Sequence, residues 1–458
     1  MLGGMRIPIA ILMSILVAPQ PAAAAAAHRP QAPPRLAMAS AGADLVAAVA
    51  ARADAAVTYA GPPPGPTVPG DPAGPPPAAG SNAAGGPDAA GGPVSLLPAR
   101  VSVGRRTAQW GFGSVVRPAP RTAGAYPQGW LYVARRDGAG GWQVALEGEP
   151  AFAALSRQAP ILAAPERRLL GADPVSIDTG GTAGGAAGAV PGASGRPVAF
   201  SRTPPPAIDR RTGMRLPYTV GQRWRYTGGP HPMSGAARSS IDLAGGDGRV
   251  LAARGGLAYT MCPGGKGWIR VIHDRGFATD YYHLAGNIRA SGKRVNDGTF
   301  LGMIGNDVSC GGASTGRHVH FSLLRNGGYV PISGYAFGKW VIMASAGQYD
   351  GTAMHGSYRA VIDTNLHNYG RLGFTQGVVD TDGARLLNRR AGPGSSHRLL
   401  GTVPDGATVT VACSRRGTTH TGRYGYTTNL WNRLTDRSWI SDAYLSTGTP
   451  NPVNGYCR

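Results

Sequence analysis

Two stretches poor in large apolar side chains, 28–100 and 171–200, most constrain how this 458-residue chain can fold. Ala, Gly and Pro dominate them, as in Gly61-Pro62-Pro63-Pro64-Gly65-Pro66. Burying such segments returns too little to offset the entropy of ordering them, so they are expected to be disordered, partly polyproline linkers. What remains must fold as separate pieces at 101–170, 201–350 and 373–458, with 351–372 as a connector. This agrees with about two to three domains for a chain of this length.

The first residues carry one arginine, Arg6, then an apolar run over 7–18 and an alanine stretch over 22–27. This pattern reads as a secretory signal peptide, 1–27, because about twelve apolar residues fall short of the roughly twenty that span a bilayer. The four cysteines suit an oxidising compartment and could pair within domains, Cys262 with Cys310 and Cys413 with Cys457. No Cys-x-x-Cys spacing supports a thiolate zinc site. The formal charge of +21 comes almost entirely from arginine, since Lys266, Lys293 and Lys339 are the lysines. Outside a cell, that excess favours anionic wall polymers or lipid headgroups. No nucleic-acid recognition motif accompanies it.

Within the folding pieces the signals are those of strands. Trp130-Leu131-Tyr132-Val133 and Trp142-Gln143-Val144-Ala145-Leu146 flank a turn at 137–141, which marks a hairpin in a small α+β unit over 101–170. Between 201 and 350, short runs such as Trp268-Ile269-Arg270-Val271-Ile272 are punctuated by turn residues, as in an antiparallel β domain. The last piece alternates again at Thr408-Val409-Thr410-Val411-Ala412, and holds ten arginines against five aspartates. The chain is therefore expected to be mainly β.

The chemistry concentrates in the second piece. In Ser314-Thr315-Gly316-Arg317-His318-Val319-His320-Phe321-Ser322 a glycine-containing loop runs into two histidines that alternate onto one face of a strand. Alone, this pair is a weak signal. His231, Asp242 eleven positions later, and His283 strengthen it. Two histidines and one carboxylate suffice for a catalytic zinc with an open position, and the two imidazoles left over could take up a proton or stabilise an oxyanion. His273, His355, His367, His397 and His420 lie outside these blocks. His273 reads as structural or exposed and the other four as surface residues. The 311–316 glycine run lacks the Lys-[Ser/Thr] ending of a phosphate loop and reads better as the rim of a groove for an extended peptide.

Four ordered blocks resemble the lysostaphin-type zinc peptidases, especially the staphylolysin and β-lytic metalloendopeptidase branch. They are Gly229-Pro230-His231, Arg238-Ser239-Ser240-Ile241-Asp242, Ala278-Thr279-Asp280-Tyr281-Tyr282-His283-Leu284 and the run from Gly311 through His318 and His320 to Leu324. The resemblance spans about a third of the chain and implies an antiparallel β-sheet peptidase domain with a substrate groove. It implies His231, Asp242 and His320 as ligands of one Zn2+, and His283 and His318 as catalytic, with the base left open between them. Tyr349, 29 positions after His320, resembles the groove tyrosine that assists in this branch; the alternative is a plain surface or core tyrosine. Cys262 and Cys310 resemble the branch's internal disulfide. The loop from His231 to Asp242 is shorter than in staphylolysin-like members, and the cysteines often found beyond the tyrosine are absent. The 373–458 piece resembles bacterial SH3-like wall-binding barrels, although Asn388-Arg389-Arg390-Ala391 precedes Gly392 where the usual motif is tighter.

These readings lead to a secreted, monomeric zinc endopeptidase that cleaves peptide cross-bridges of bacterial peptidoglycan, glycine-rich ones first, outside the cell or at the wall. The region before 200 is then a propeptide or inhibitory arm. Peptidoglycan and anionic wall polymers are the expected partners, with neither nucleic acid nor stable membrane insertion. The rivals are a catalytically silent wall-binding or scaffolding protein and a general extracellular protease.

Overall fold

The computed structural model describes residues 44–59, 97–175 and 209–458; the expected signal peptide and most of both Ala/Gly/Pro-rich segments lie outside them. The protein is mainly β. Among the described residues, no helix is long and apolar enough to cross a membrane.

The piece expected over 201–350 is built on an antiparallel sheet. Its strands run in the order Ser291–Val295, Gly256–Thr260, Gly267–Ile272, Phe277–Leu284, Val319–Arg325, Ser240–Ala244, Arg223–His231 and Asn365–His367, and Gly328–Tyr329 pairs on Val319–Arg325. The central strands are apolar on both faces because both are covered. One face, with Ile269, Val271, Tyr281 and Phe321, packs into a core with Trp224, Trp340 and Ile342. The opposite face, with Trp268, Ile272, Ala278, Tyr282 and Leu324, packs against residues 110–170.

That N-terminal piece is a four-stranded antiparallel sheet, Arg100–Arg106, Trp110–Arg117, Gln128–Arg136 and Trp142–Leu146, followed by helices Pro150–Gln158 and Ala164–Leu170. Phe112, Leu131 and Val133 face the larger sheet, while Val115, Tyr132 and Val144 face the other way. This is the period-two alternation of a sheet covered on both sides. The cover on the far side is the helix Leu45–Tyr59, which lies inside the stretch expected to be disordered. The composition of 28–100 as a whole conceals it. Residues 45–59 contain neither Pro nor Gly, alanine favours helix, and Leu45, Ala48, Val49 and Ala53 fall on one buried stripe.

The expected connector over 351–372 is also structured. Thr352–His355 and Tyr358–Val361 join Ala336–Phe337 and Trp340–Met343 in a four-stranded sheet, and Asn365–His367 pairs with Arg223–His231. Ala353, Ala360 and Leu366 supply the buried positions that hold it there. The last piece is a seven-stranded antiparallel sheet in the order Leu399–Pro404, Leu386–Arg390, Trp439–Ser441, Thr427–Leu434, Thr408–Thr421, Gln376–Val379 and Leu445–Ser446. The disulfides Cys262–Cys310 and Cys413–Cys457 form as the sequence led us to expect.

His273 is buried and structural. Its Nδ1–H donates to the Gly255 carbonyl at 2.9 Å, and Nε2 lies 2.9 Å from Thr279 Oγ1. Burial pushes its pKa from 6.5 down to about 4. Between those values the unfolded chain binds the proton that the folded one refuses, so stability is full above pH 6.5 and falls as pH drops toward 4, by about 3 kcal/mol for this group. His273→Gln is expected to flatten that part of the stability profile. The check is denaturant unfolding of both proteins at pH 7 and pH 4.5, and equal pH slopes would contradict it. Of the four histidines assigned to the surface, only His397 is exposed; His355, His367 and His420 are half-buried.

Candidate metal centre

Three neighbouring strands bring the site together. His320 on Val319–Arg325 stands directly opposite Asp242 on Ser240–Ala244, and His231 ends the next strand, Arg223–His231. One potential ligand atom from each of His231, Asp242 and His320 lies within 4.8 Å of the others. Asp242 Oδ2 is 2.9 Å from His231 Nε2, and Asp242 Oδ1 is 3.2 Å from His320 Nδ1. Both histidines are nearly fully buried.

Close approach of the strands depends on Gly228, where a Cβ would come 3.1 Å from both Asp242 Oδ2 and Tyr349 Cδ1. Any larger residue there would push the carboxylate or the tyrosine aside.

The second pair of imidazoles sits beside the first three residues. His318 Nε2 is 3.5 Å from Asp242 Oδ1, so His318 and His320 do share a face. His283 arrives differently. Tyr282 is the residue opposite His320, so simple alternation would turn His283 away. A register break between Tyr281 and Leu284 and a φ of +64° at His283 bring its ring back, stacked on Tyr282 and 4.8 Å from the His318 ring. Re-aiming a side chain is what a bulge beside a functional site does.

Backbone carbonyls set both tautomers. His283 Nδ1–H donates to Asp307 O at 2.9 Å and His318 Nδ1–H donates to Gly316 O at 2.7 Å. Each imidazole therefore keeps its Nε2 lone pair for chemistry. Burial pushes His283 down to about 3 and His320 down to about 4, so both are neutral at ordinary pH. At Asp242 burial acts in the opposite sense, but the neighbouring His231 and His318 and its hydrogen bonds hold the carboxyl well below its usual range.

The donor set fits a divalent metal ion. Two imidazoles and a carboxylate converge, and Asp242 Oδ1 and His320 Nε2 are buried without a well-directed hydrogen bond. Buried polar atoms left unpaired cost about 1–3 kcal/mol each, a cost that a cation among them would offset. Nitrogen and oxygen donors of this kind suit zinc.

Tyr349 lies at the same place: its ring stacks on His231 at 4.2 Å, it is 45% exposed, and its φ is +68°. The structure thus brings together all six residues singled out in the sequence. It adds Tyr126, from the N-terminal piece, whose hydroxyl is 2.7 Å from that of Tyr349. No local signal marks Tyr126, because its role rests on a contact across 223 positions of chain.

Comparisons with known proteins identify a family for this part of the chain. The sequence model of Peptidase family M23 matches residues 237–332. Protease LasA of Pseudomonas aeruginosa is 34% identical over 149 residues, covering 30% of this chain and 35% of the protease. The chain thus covers about a third of the length of the LasA proteases it matches. The β-lytic metalloendopeptidase of Lysobacter enzymogenes is 29% identical over 153 residues, or 30% of this chain and 83% of that protein. The solved M23 metalloprotease pseudoalterin, of deep-sea origin, is 33% identical, with 34% of this chain and 97% of that chain covered and a TM-score of 0.31. The matched segment contains Asp242, His283, His318 and His320, and the chain therefore carries a peptidase family M23 domain.

Proposed function

We propose that the protein is a secreted zinc endopeptidase that hydrolyses peptide cross-bridges of bacterial peptidoglycan, with glycine-rich bridges as preferred substrates. The observation that carries this reading is the convergence of His231, Asp242 and His320 beside two imidazoles whose Nδ1 atoms are held by backbone carbonyls. In it, the three converging residues would hold Zn2+, whose chemistry when bound would be to polarise a peptide carbonyl and acidify water. His283 and His318 would share the proton work: the Nε2 lone pair of one takes a proton from the attacking water and passes it to the leaving amine nitrogen as the C–N bond breaks, while the other stands beside the same carbonyl and helps to position it. Tyr349 stands at the same mouth and adds a hydroxyl donor.

The N-terminal piece over 101–170 acts as a propeptide removed by cleavage within 176–208. Support comes from its position on the sheet face that also carries His320. The C-terminal piece, read as an SH3-like barrel, holds the enzyme at the wall. Arg385, Arg398, Arg415, Arg416 and Arg437 stand exposed on it, as attraction to anionic polymers requires.

The test is the full chain with a specific protease site placed within 176–208, assayed before and after cutting on Gram-positive walls and on casein, with bound metal measured in parallel. Wall lysis that appears on cutting, with about one zinc per chain and little casein turnover, is expected. Wall binding without lysis would support the silent binder, and equal turnover of casein would support a general protease.

A further inference from the structure

The strand that carries His320 ends at Arg325, five positions on, so alternation turns Arg325 onto the face away from the metal centre. Arg325 is 5% exposed, and its guanidinium carbon lies 4.1 Å over the ring of Phe277, the residue opposite it. Among the described residues it makes neither an ion pair nor a hydrogen bond, and its Nε is buried without a partner. A buried charge without a counter-ion is strongly unfavourable. Burial holds the pKa of Arg325 below the usual arginine value, against the pull of Tyr335 and Asp209.

A second arginine reaches the same place. Phe277 packs edge-to-face on the buried Tyr335, with ring centres 6.2 Å apart, and the residue before Tyr335 is Gly334. The stem of Arg210 lies against Gly334, where a Cβ would come 3.0 Å from both its Cδ and its Nε. The Arg210 backbone is fixed by its N–H, which donates to Gly448 O at 2.8 Å, while its guanidinium has no ion pair among the described residues. Burial pushes the Tyr335 hydroxyl up, and the charges of Arg325 and Arg210 pull it back. The neighbouring carboxylates are already engaged. Arg211 holds both oxygens of Asp209 at 2.9 and 2.7 Å, Arg275 donates to it at 2.8 Å, and Arg254 pairs with Asp274. Asp209, Arg210 and Arg275 are half-buried, so the cluster opens to solvent on that side.

We infer that Arg325, Arg210 and the hydroxyl of Tyr335 form a binding site for a phosphate-type oxyanion, separate from the metal centre. Two guanidinium forks and a phenol offer donors from several directions, which suits a tetrahedral oxyanion better than a planar carboxylate, and its negative charge offsets the two unpaired cations. Free phosphate and the phosphodiester of an anionic polymer share this chemistry. The site goes beyond the proposed function and stands whether or not the chain is a peptidase.

The probe is inorganic phosphate, titrated calorimetrically into the zinc-loaded full chain at an ionic strength held constant with chloride. One saturable site is expected, weakened at least about tenfold in Arg325→Met and in Arg210→Gln and unchanged in Arg294→Gln, which removes an exposed arginine from the strand Ser291–Val295. Arg325→Met is also expected to keep or raise the unfolding midpoint in phosphate-free buffer, since an apolar side chain replaces an unpaired buried charge. Arg210 is half-buried, so Arg210→Gln decides the matter even where Arg325→Met fails to fold. No saturable site in the wild-type chain, or a site that both variants leave intact, would overturn the inference. So would a site that His320→Ala removes and Arg325→Met retains, because the phosphate would then sit at the metal centre. Displacement of the bound phosphate by poly(glycerol phosphate) would support the site as one for a polymer phosphodiester, and phosphate that the polymer leaves in place would support it as one for the free ion.

Discussion

His320→Ala is expected to lose the bound metal and, with it, all measurable wall lysis by the cut protein. The substitution removes one of three converging donors and leaves Asp242 with His231 alone in a buried pocket. Partners that merely orient a ligand are worth about 10–100-fold in metal affinity, and a direct ligand must exceed that. His283→Ala and His318→Ala separate the two kinds of role. Their Nδ1 atoms are held by the Asp307 and Gly316 carbonyls rather than by the converging trio, so each variant is expected to keep about one zinc and lose turnover by about 10²–10⁴-fold, the usual worth of a positioned acid or base. Metal content by atomic spectroscopy and lysis by turbidity, on the same preparations, decide the matter. A full complement of zinc in His320→Ala would remove His320 from the ligand set.

Much of this centre is legible in the chain because its chemistry is local. His318 and His320 share a strand face through simple alternation, and His231 and Asp242 come from an adjacent pair of strands. His283 shows the limit: its motif block places it, but alternation alone would face it the wrong way, and only the left-handed backbone turns it inward. The helix at Leu45–Tyr59 was hidden by averaging over a long alanine-rich stretch, whereas the absence of Pro and Gly across those fifteen residues was there to be read. Part of the buried cluster in which Arg270 pairs with Asp280 and Glu147 was also readable. Arg270 and Asp280 flank the turn Asp274-Arg275-Gly276 symmetrically, and a hairpin centred on Arg275 must pair them. Glu147, 123 positions before Arg270, and Tyr126 carry no such mark, because which face of one sheet meets another piece is decided by the assembled surfaces.

Arg270→Met is expected to cost about 3–5 kcal/mol in the intact chain, the penalty for breaking a buried ion pair from one side. Arg270 is 0% exposed and donates to both oxygens of Asp280 at 2.7 Å, to Glu147 at 2.6 Å, to Gly129 O at 3.2 Å and to Tyr329 at 3.0 Å. Without the guanidinium, two carboxylates remain in a site closed to water. Burial already pushes Glu147 above its usual range against the pull of Arg270, and removing that pull raises it further. A carboxyl raised in the folded state binds protons that the unfolded chain does not, so the deficit of Arg270→Met is largest near pH 7 and shrinks as pH falls toward 5. Glu147 belongs to the N-terminal piece and Asp280 to the peptidase sheet, so the cluster also fastens one to the other. Cutting within 176–208 and removing the N-terminal piece would open Arg270 and Asp280 to water, where ion pairs are worth about 0–1 kcal/mol, and the same substitution should then cost far less. Unfolding midpoints in urea for both chains, intact and cut, at pH 7 and pH 5, supply the four comparisons. A cost that is the same in all of them would show that Arg270 acts through packing alone, with no share in holding the N-terminal piece to the site.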